Sequence, residues 1–174
     1  MNSPRKNMVL TGPPGCGKTT IVRRVVGSLQ NRRLAGFYTQ EICQHGQRAG
    51  FAAVGPDGQL VTLAHVDFRG KNRVGRYGVD LASFDAIVHK ELGRSFEEVD
   101  LFVIDEIGKM ECLSAVFIET VARLLDSPVN VLATVAVKGG GFIAEAKARH
   151  DVETITVTAA NRHNLPDELV RRFQ

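Results

Sequence analysis

Residues 12–19 read Gly-Pro-Pro-Gly-Cys-Gly-Lys-Thr, and no other segment limits the fold of this chain so tightly. The apolar run Met8-Val9-Leu10 leads into it, predicting a strand over Met8 to Thr11. Ile21, Val22, Val25, Val26 and Leu29 follow at helical spacing, with Arg23, Arg24, Ser28 and Gln30 on the opposite face. The segment matches Gly-x-x-x-x-Gly-Lys-Ser/Thr, the Walker A pattern, at each fixed position. Glycines let the backbone curl until several N–H groups point inward, and the helix that follows adds the positive end of its dipole. Such a loop is built to surround phosphate oxygens with Gly12, Pro13, Pro14, Gly15, Cys16 and Gly17. Lys18 would lie against the β- and γ-phosphates and the Thr19 hydroxyl would coordinate Mg²⁺, while Thr20 is a weaker candidate for the α-phosphate. The bland alternative, a glycine-rich turn that binds nothing, fits the strand–loop–helix context poorly. The Cys16 thiol, near a cation and a helix start, is placed to be reactive, although a small side chain that simply fits explains it equally well.

The rest of the chain is consistent with a globular α/β protein. With 174 residues, 44% of them hydrophobic and no repeat or long linker, one domain spanning 1–174 is expected. A net charge of +3 permits polyanionic ligands without singling out nucleic acid. Cys16, Cys43 and Cys112 form no CxxC pair, which fits a reducing, cytoplasmic setting better than a disulfide framework or zinc site. Behind the polar, basic Met1 to Asn7, the apolar run is too short for a signal peptide or a membrane span.

Gly36 to Ile42, Arg48 to Val54 and Gln59 to Ala64, separated by turns at 44–47 and 55–58, predict an antiparallel hairpin or small meander. His65 to Gly78 carries Arg69, Lys71, Arg73 and Arg76 among glycines and reads as a basic, mobile loop. Ser83 is expected to cap a helix bearing Phe84, Ile87, Val88 and Leu92. A second helix should carry Leu113, Val116, Phe117, Val121, Leu124 and Leu125. The runs Leu101 to Ile104, Val129 to Val135 and Val152 to Val157 suit buried strands of a parallel sheet. Gly139-Gly140-Gly141 opens a short helix, and Asn164 should cap the last one, with Pro166, Asp167 and Glu168 in its first turn. Strands alternating with helices give a mainly parallel sheet, extended by the inserted hairpin, with ligands beyond the carboxyl ends of its strands.

The second half of the site lies in Asp105-Glu106 at the end of the run Leu101 to Ile104, a Walker B-like pattern. Asp105 would hold Mg²⁺, and Glu106, diverging from it, could orient or deprotonate an attacking water. That pair favours hydrolysis over a kinase reaction, in which water must be kept out. Two solvated acids at a strand end are the alternative. Lys109 could face the γ-phosphate or pair with Glu106 or Glu111, and Thr134 could bond a γ-phosphate oxygen, the water, or a neighbour in the core. Arg48 and Arg76 are weighed as internal arginine fingers against solvated surface residues. The cluster Arg69 to Arg76 could close as a lid or touch nucleic acid, but no aromatic ladder accompanies it. Asn161 and Arg162 could flank a base or ribose; without an Asn-Lys-x-Asp pattern, guanine selectivity is not expected. His45, His65, His89, His150 and His163 are scattered and show no metal-ligand spacing.

Three blocks resemble a known family: Gly12 to Thr20, Gly36-Phe37-Tyr38-Thr39-Gln40-Glu41, and Val103-Ile104-Asp105-Glu106-Ile107-Gly108-Lys109-Met110-Glu111. Arg48 to Phe51, Val74 to Asp80 and Asn161-Arg162 add to the likeness, which spans nearly the whole chain. It is similar to the nucleoside-triphosphatases first described from thermophiles, a family with a human cancer-related member. The resemblance implies a P-loop NTPase three-layer sandwich and Mg²⁺-dependent hydrolysis of ATP, GTP, CTP and UTP to NDP and phosphate, with broad base tolerance and slow turnover. It carries nucleotide binding onto Gly12 to Thr19 and onto Asp105, Glu106, Ile107, Gly108 and Lys109. A monomer is expected. Cys112 stands where a larger apolar residue is common in the family, and Cys16 where valine is frequent.

Overall fold

A computed structural model describes residues 5–174; Met1 to Pro4, the head of the polar N-terminal segment, lie outside the described residues. Nine strands form one sheet: β1 (Asn7–Thr11), β2 (Leu34–Gln44), β3 (Gln47–Val54), β4 (Leu60–His65), β5 (Arg73–Val74), β6 (Tyr77–Val79), β7 (Leu101–Ile107), β8 (Asn130–Val135) and β9 (Val152–Thr156). Their order is β5-β6-β4-β3-β2-β7-β8-β1-β9. The run β2-β7-β8-β1-β9 is parallel and the remainder antiparallel. The long β2 joins the two halves: Leu34 to Phe37 pair with β7, and Tyr38 to Gln44 pair with β3. The mainly parallel sheet with an antiparallel insert is thus as expected, and the insert has two more short strands than the hairpin pattern foretold.

Helices α1 (Lys18–Ser28) and α5 (Leu165–Phe173) cover one face, while α2 (Leu81–Ile87), α3 (Ala115–Asp126) and α4 (Phe142–Ala148) cover the other. The strands sort their side chains by the period of two. On β1, Met8 and Leu10 join Ile21, Val22, Val25, Leu165 and Leu169, whereas Val9 faces the opposite core. On β7, Leu101 and Val103 point to the α1 side, and Phe102 and Ile104 to the α3 side. Three buried rings, Phe37, Phe84 and Phe117, anchor that second core with centroids 5.5–6.2 Å apart. Because β1, β7 and β8 are covered on both faces, polar chemistry there is left to the strand ends. Among the described residues, no helix is long and apolar enough to cross a membrane.

Four local expectations are corrected. The 65–78 segment is not a free loop. Its end folds into the β5–β6 ribbon, and Arg73 reaches the carbonyls of Phe68 at 2.9 Å and Arg76 at 2.7 Å. Arg76 in turn donates to the carbonyl of Arg48 at 2.5 Å. Leu113 lies outside α3, half in solvent, because Ser114 starts that helix by accepting from the Phe117 N–H at 2.9 Å. Asn164 occupies the position before α5 but its side chain caps nothing there. Ser83 is inside α2, and Asp80 is the cap, accepting from the Ser83 N–H at 3.1 Å and hydroxyl at 2.7 Å. Beyond α2 the buried stripe continues through a wider π-helical turn, Val88–Leu92. Those two bonds hold the Asp80 carboxyl below its ordinary range. Asp80→Ala should lower stability by about 1 kcal/mol, measured by urea unfolding, with Ser83→Ala costing less.

Candidate active site

The carboxyl ends of β1, β7 and β8 and the bend in β2 converge beside α1. Between β1 and α1, Gly12, Gly15 and Gly17 take φ of +151°, +77° and +109°, values that L side chains rarely adopt. A Cβ on Gly12 would stand 2.7 Å from Cys16 Sγ and 3.1 Å from the Val157 carbonyl, so the loop fits between its own turn and the end of β9. Gly17 precedes α1 without a side chain to cap it. The first-turn amides of that helix therefore face the loop, and its dipole adds to the anion-attracting field. Lys18 Nζ folds back to the Gly12 carbonyl at 2.8 Å, which holds the ammonium over the loop.

Opposite stands Asp105, 1% exposed and bonded from three sides. Thr19 on α1 donates its hydroxyl to Asp105 Oδ2 at 2.8 Å. Thr134, wholly buried on β8, donates to Oδ1 at 2.5 Å. The Thr39 amide and hydroxyl on β2 approach Oδ2 at 3.4 Å each. Thr134 therefore takes the local reading, as a core threonine that orients Asp105. Glu106, half-buried, turns away and lines three hollows at once. The largest is a cleft of ≈ 580 Å³ beside Pro14 to Thr20 with Arg23, Arg48 and Asp105. A second, of ≈ 460 Å³, runs along Gly12 to Pro14 and Lys18 to Ala136 and Lys138. Burial raises the Glu106 carboxyl above the ordinary glutamate value, Lys18 opposes that, and Asp105 reinforces it.

A family model described as NTPase matches residues 7–170. The chain belongs to that family. It is 39% identical to nucleoside-triphosphatase THEP1 of Thermotoga maritima over 163 residues, covering 94% of this chain and 92% of that one. It is also 39% identical to the human cancer-related nucleoside-triphosphatase, over 97% of each chain. The crystal structure of THEP1 from the hyperthermophile Aquifex aeolicus superposes with a TM-score of 0.88 at 30% identity, over 97% and 99% of the two chains. The solution structure of the human protein gives 0.83 at 36% identity, over 97% of each chain. Both comparisons place the whole described architecture in the NTPase family's P-loop fold.

The other residues singled out from sequence fall into two groups. Lys109 is exposed after β7, and among the described residues no ion pair joins it to Glu106 or Glu111. Arg48 lines the large cleft, but its guanidinium is paired with Glu41 at 2.9 Å and lies over the Phe51 ring. Arg76 is turned to the Arg48 backbone and Tyr77. Asn161 lies in the loop beside the phosphate loop, where its side chain bonds the Thr158 amide at 2.8 Å and the Thr156 carbonyl at 2.9 Å. Ile107 and Gly108 are buried behind the acids, and Cys16 packs partly against the α1-side core.

Sequence reasoning missed two residues beside Asp105 and Glu106. Thr39 stands in one of the family-like blocks, but no role falls to it until β2 is known to pair with β7. Glu111 enters the sequence reading only as one of two alternative partners of Lys109, yet it is buried, 5% exposed. A Cβ on Gly108 would lie 2.8 Å from Glu111 Oε2 and 3.0 Å from Glu106 Oε1, so both carboxyls flank this one glycine. Burial pushes the Glu111 carboxyl up to about 8, with Glu106 and Asp105 adding to the shift and the Glu111 and Gly108 amides opposing it. The neighbouring Cys112 thiol is pushed up to about 12 by its own burial and by Glu111.

Gly108→Ala should displace the two carboxyls and cut NTP turnover on the order of tenfold to a hundredfold, with the melting temperature nearly unchanged. For Glu111 the linkage has a definite sign. Below pH 4.5 folded and unfolded chains both hold the proton; from 4.5 to about 8 only the unfolded chain releases it, so stability falls as pH rises. Between about pH 5 and 8 the metal-free wild type should lose on the order of a few kcal/mol relative to Glu111→Gln. Urea unfolding across that range checks this; parallel profiles would exclude a neutral, buried Glu111.

Proposed function

We propose that this chain is a Mg²⁺-dependent nucleoside-triphosphate phosphatase that converts NTP and water to NDP and phosphate. The single observation that carries the reading is the pairing of a fully hydrogen-bonded Asp105 with a half-buried Glu106 opening onto the cleft at the phosphate loop. The loop amides and Lys18 bind and orient the triphosphate. Glu106 takes the proton of a water aligned with the γ-phosphate, and its raised proton affinity improves it as a base near neutral pH. Lys109 adds charge where the transferring group becomes more negative.

The donor set fits a magnesium ion. Thr19 Oγ1 and Asp105 Oδ2 are hard oxygens already 2.8 Å apart, one from each side of the cleft. Among the described residues no group of three or more His, Cys, Asp or Glu could hold a metal. Magnesium matches that sparseness, since one or two protein oxygens suffice when phosphates and waters complete its shell. When bound, it supplies charge neutralisation on the phosphate oxygens. The reading includes use of ATP, GTP, CTP and UTP; it is supported by the side chain of Asn161, which is spent on its own loop and not offered to a base. The reading takes residues 1–174 as one domain acting as a monomer, in the cytoplasm, which three free cysteines suit.

Purified protein with Mg²⁺ and NTP should release phosphate with no added acceptor, and far less without the ion. Glu106→Gln should retain nucleotide and lose about 10²–10⁴-fold in kcat, whereas Lys18→Ala should lose nucleotide binding itself. Wild-type turnover by Glu106→Gln would remove that residue from the base role, and strict dependence on an acceptor would make the protein a kinase.

A further inference from the structure

The third hollow lined by Glu106 has no residue of the phosphate loop in its wall. It encloses ≈ 260 Å³, less than a nucleotide requires. Phe51 from β3, Val74 from β5 and Met110 give it apolar walls. Its cations are Lys109, after β7, and Lys138, after β8. Both are exposed, and among the described residues neither has a carboxylate partner. Glu111 also borders the hollow, and with its carboxyl pushed up to about 8 it is neutral at neutral pH and offers an O–H rather than a repelling charge. Lys138 lines the ≈ 460 Å³ hollow along Gly12 and Lys18 as well, so it stands at the boundary between the phosphate loop and this cavity.

We propose that this cavity receives inorganic phosphate after hydrolysis and releases it by a mouth separate from the one NDP uses. The inference rests on the hydrolase reading above. In an in-line displacement the water oxygen bonds to the γ-phosphorus while the bond to the β–γ bridging oxygen breaks. The electron pair of that bond stays on NDP, and the water proton goes to Glu106. The phosphoryl group therefore moves away from NDP and towards the side on which water attacked. NDP still seated on the loop blocks retreat through the large cleft. Past Glu106, the hollow with two unpaired lysines is the space that accepts a small dianion.

The test uses inorganic phosphate as the probe on the full chain saturated with NDP. Phosphate should bind this complex, seen as a ³¹P shift of the phosphate resonance, and should inhibit turnover without competing with NTP. Val74→Trp, which fills the cavity from β5, and Lys138→Glu, which reverses an exposed charge, should each weaken phosphate binding about tenfold. NDP affinity should stay at the wild-type value in Val74→Trp. Phosphate that competes strictly with NTP and NDP, or that binds both variants as tightly as wild type, overturns the exit cavity. Wild-type protein that releases no phosphate from NTP overturns the hydrolase reading instead, so the two failures are separable.

Discussion

The site is organised around one buried carboxylate. Asp105 lies in the carboxyl-terminal half of β7, inside the parallel sheet, where an unpartnered charge would cost several kcal/mol of desolvation. Its oxygens are instead bonded by Thr19, Thr39 and Thr134, which arrive from α1, β2 and β8. Each hydroxyl binds a separate element to the same point. The carboxylate thereby fixes the start of α1 relative to the sheet, and with it the phosphate loop that precedes the helix. The bend of β2 from parallel to antiparallel pairing falls at Thr39's own turn of strand, Phe37 being its last partner to β7 and Tyr38 its first to β3. Structural and functional demands meet on one side chain.

Asp105, Glu106 and Glu111 then divide into three environments within seven residues. Asp105 is saturated with donors and suits a role as a fixed anion. Glu106 is half-buried, has its proton affinity raised and is exposed to three hollows, which suits a group that must meet water and exchange a proton. Glu111 is buried behind Gly108 and holds its proton to about pH 8. Three charged acids in so small a volume would repel one another strongly. Keeping the innermost one neutral relieves that, and Gly108 leaves room for both glutamates. The spacing Asp-Glu-x-Gly-x-x-Glu is thus a packing constraint as well as a chemical one.

Much of this is legible in local patterns of the sequence. The phosphate loop, the three buried strands and the faces of α1 and α3 follow from glycine geometry and hydrophobic period, both of which are properties of neighbouring residues. What stayed hidden depends on pairing across distance. Thr39 becomes part of the site because β2 lies beside β7, sixty-odd residues away in sequence. Glu111 stands out in the sequence only as a charge near Lys109, yet a turn after β7 carries it inward. Asp80 outcompeted Ser83 as a cap since α2 begins three residues earlier than its apolar stripe implies. The 65–78 segment read as loop because arginines and glycines rarely fill a strand, but its arginines bond backbone carbonyls and so tie the ribbon down.

That ribbon gives the antiparallel insert a purpose beyond lengthening the sheet. Without β3 to β6, the space outside Glu106 would open to solvent on the side away from the loop. Phe51 and Val74 close it with apolar surface, while the lysines that follow β7 and β8 supply charge at its edge. The Arg76 bond to the Arg48 carbonyl and the Phe51–Tyr77 contact at 5.2 Å join β3 to the ribbon, so the wall is braced and does not rely on two short strands alone. The parallel half of the sheet builds a cradle that P-loop proteins share; the antiparallel half shapes what lies on the far side of Glu106. It is there, more than in the loop, that a hydrolase and a kinase must differ, because there the water or the acceptor has to stand.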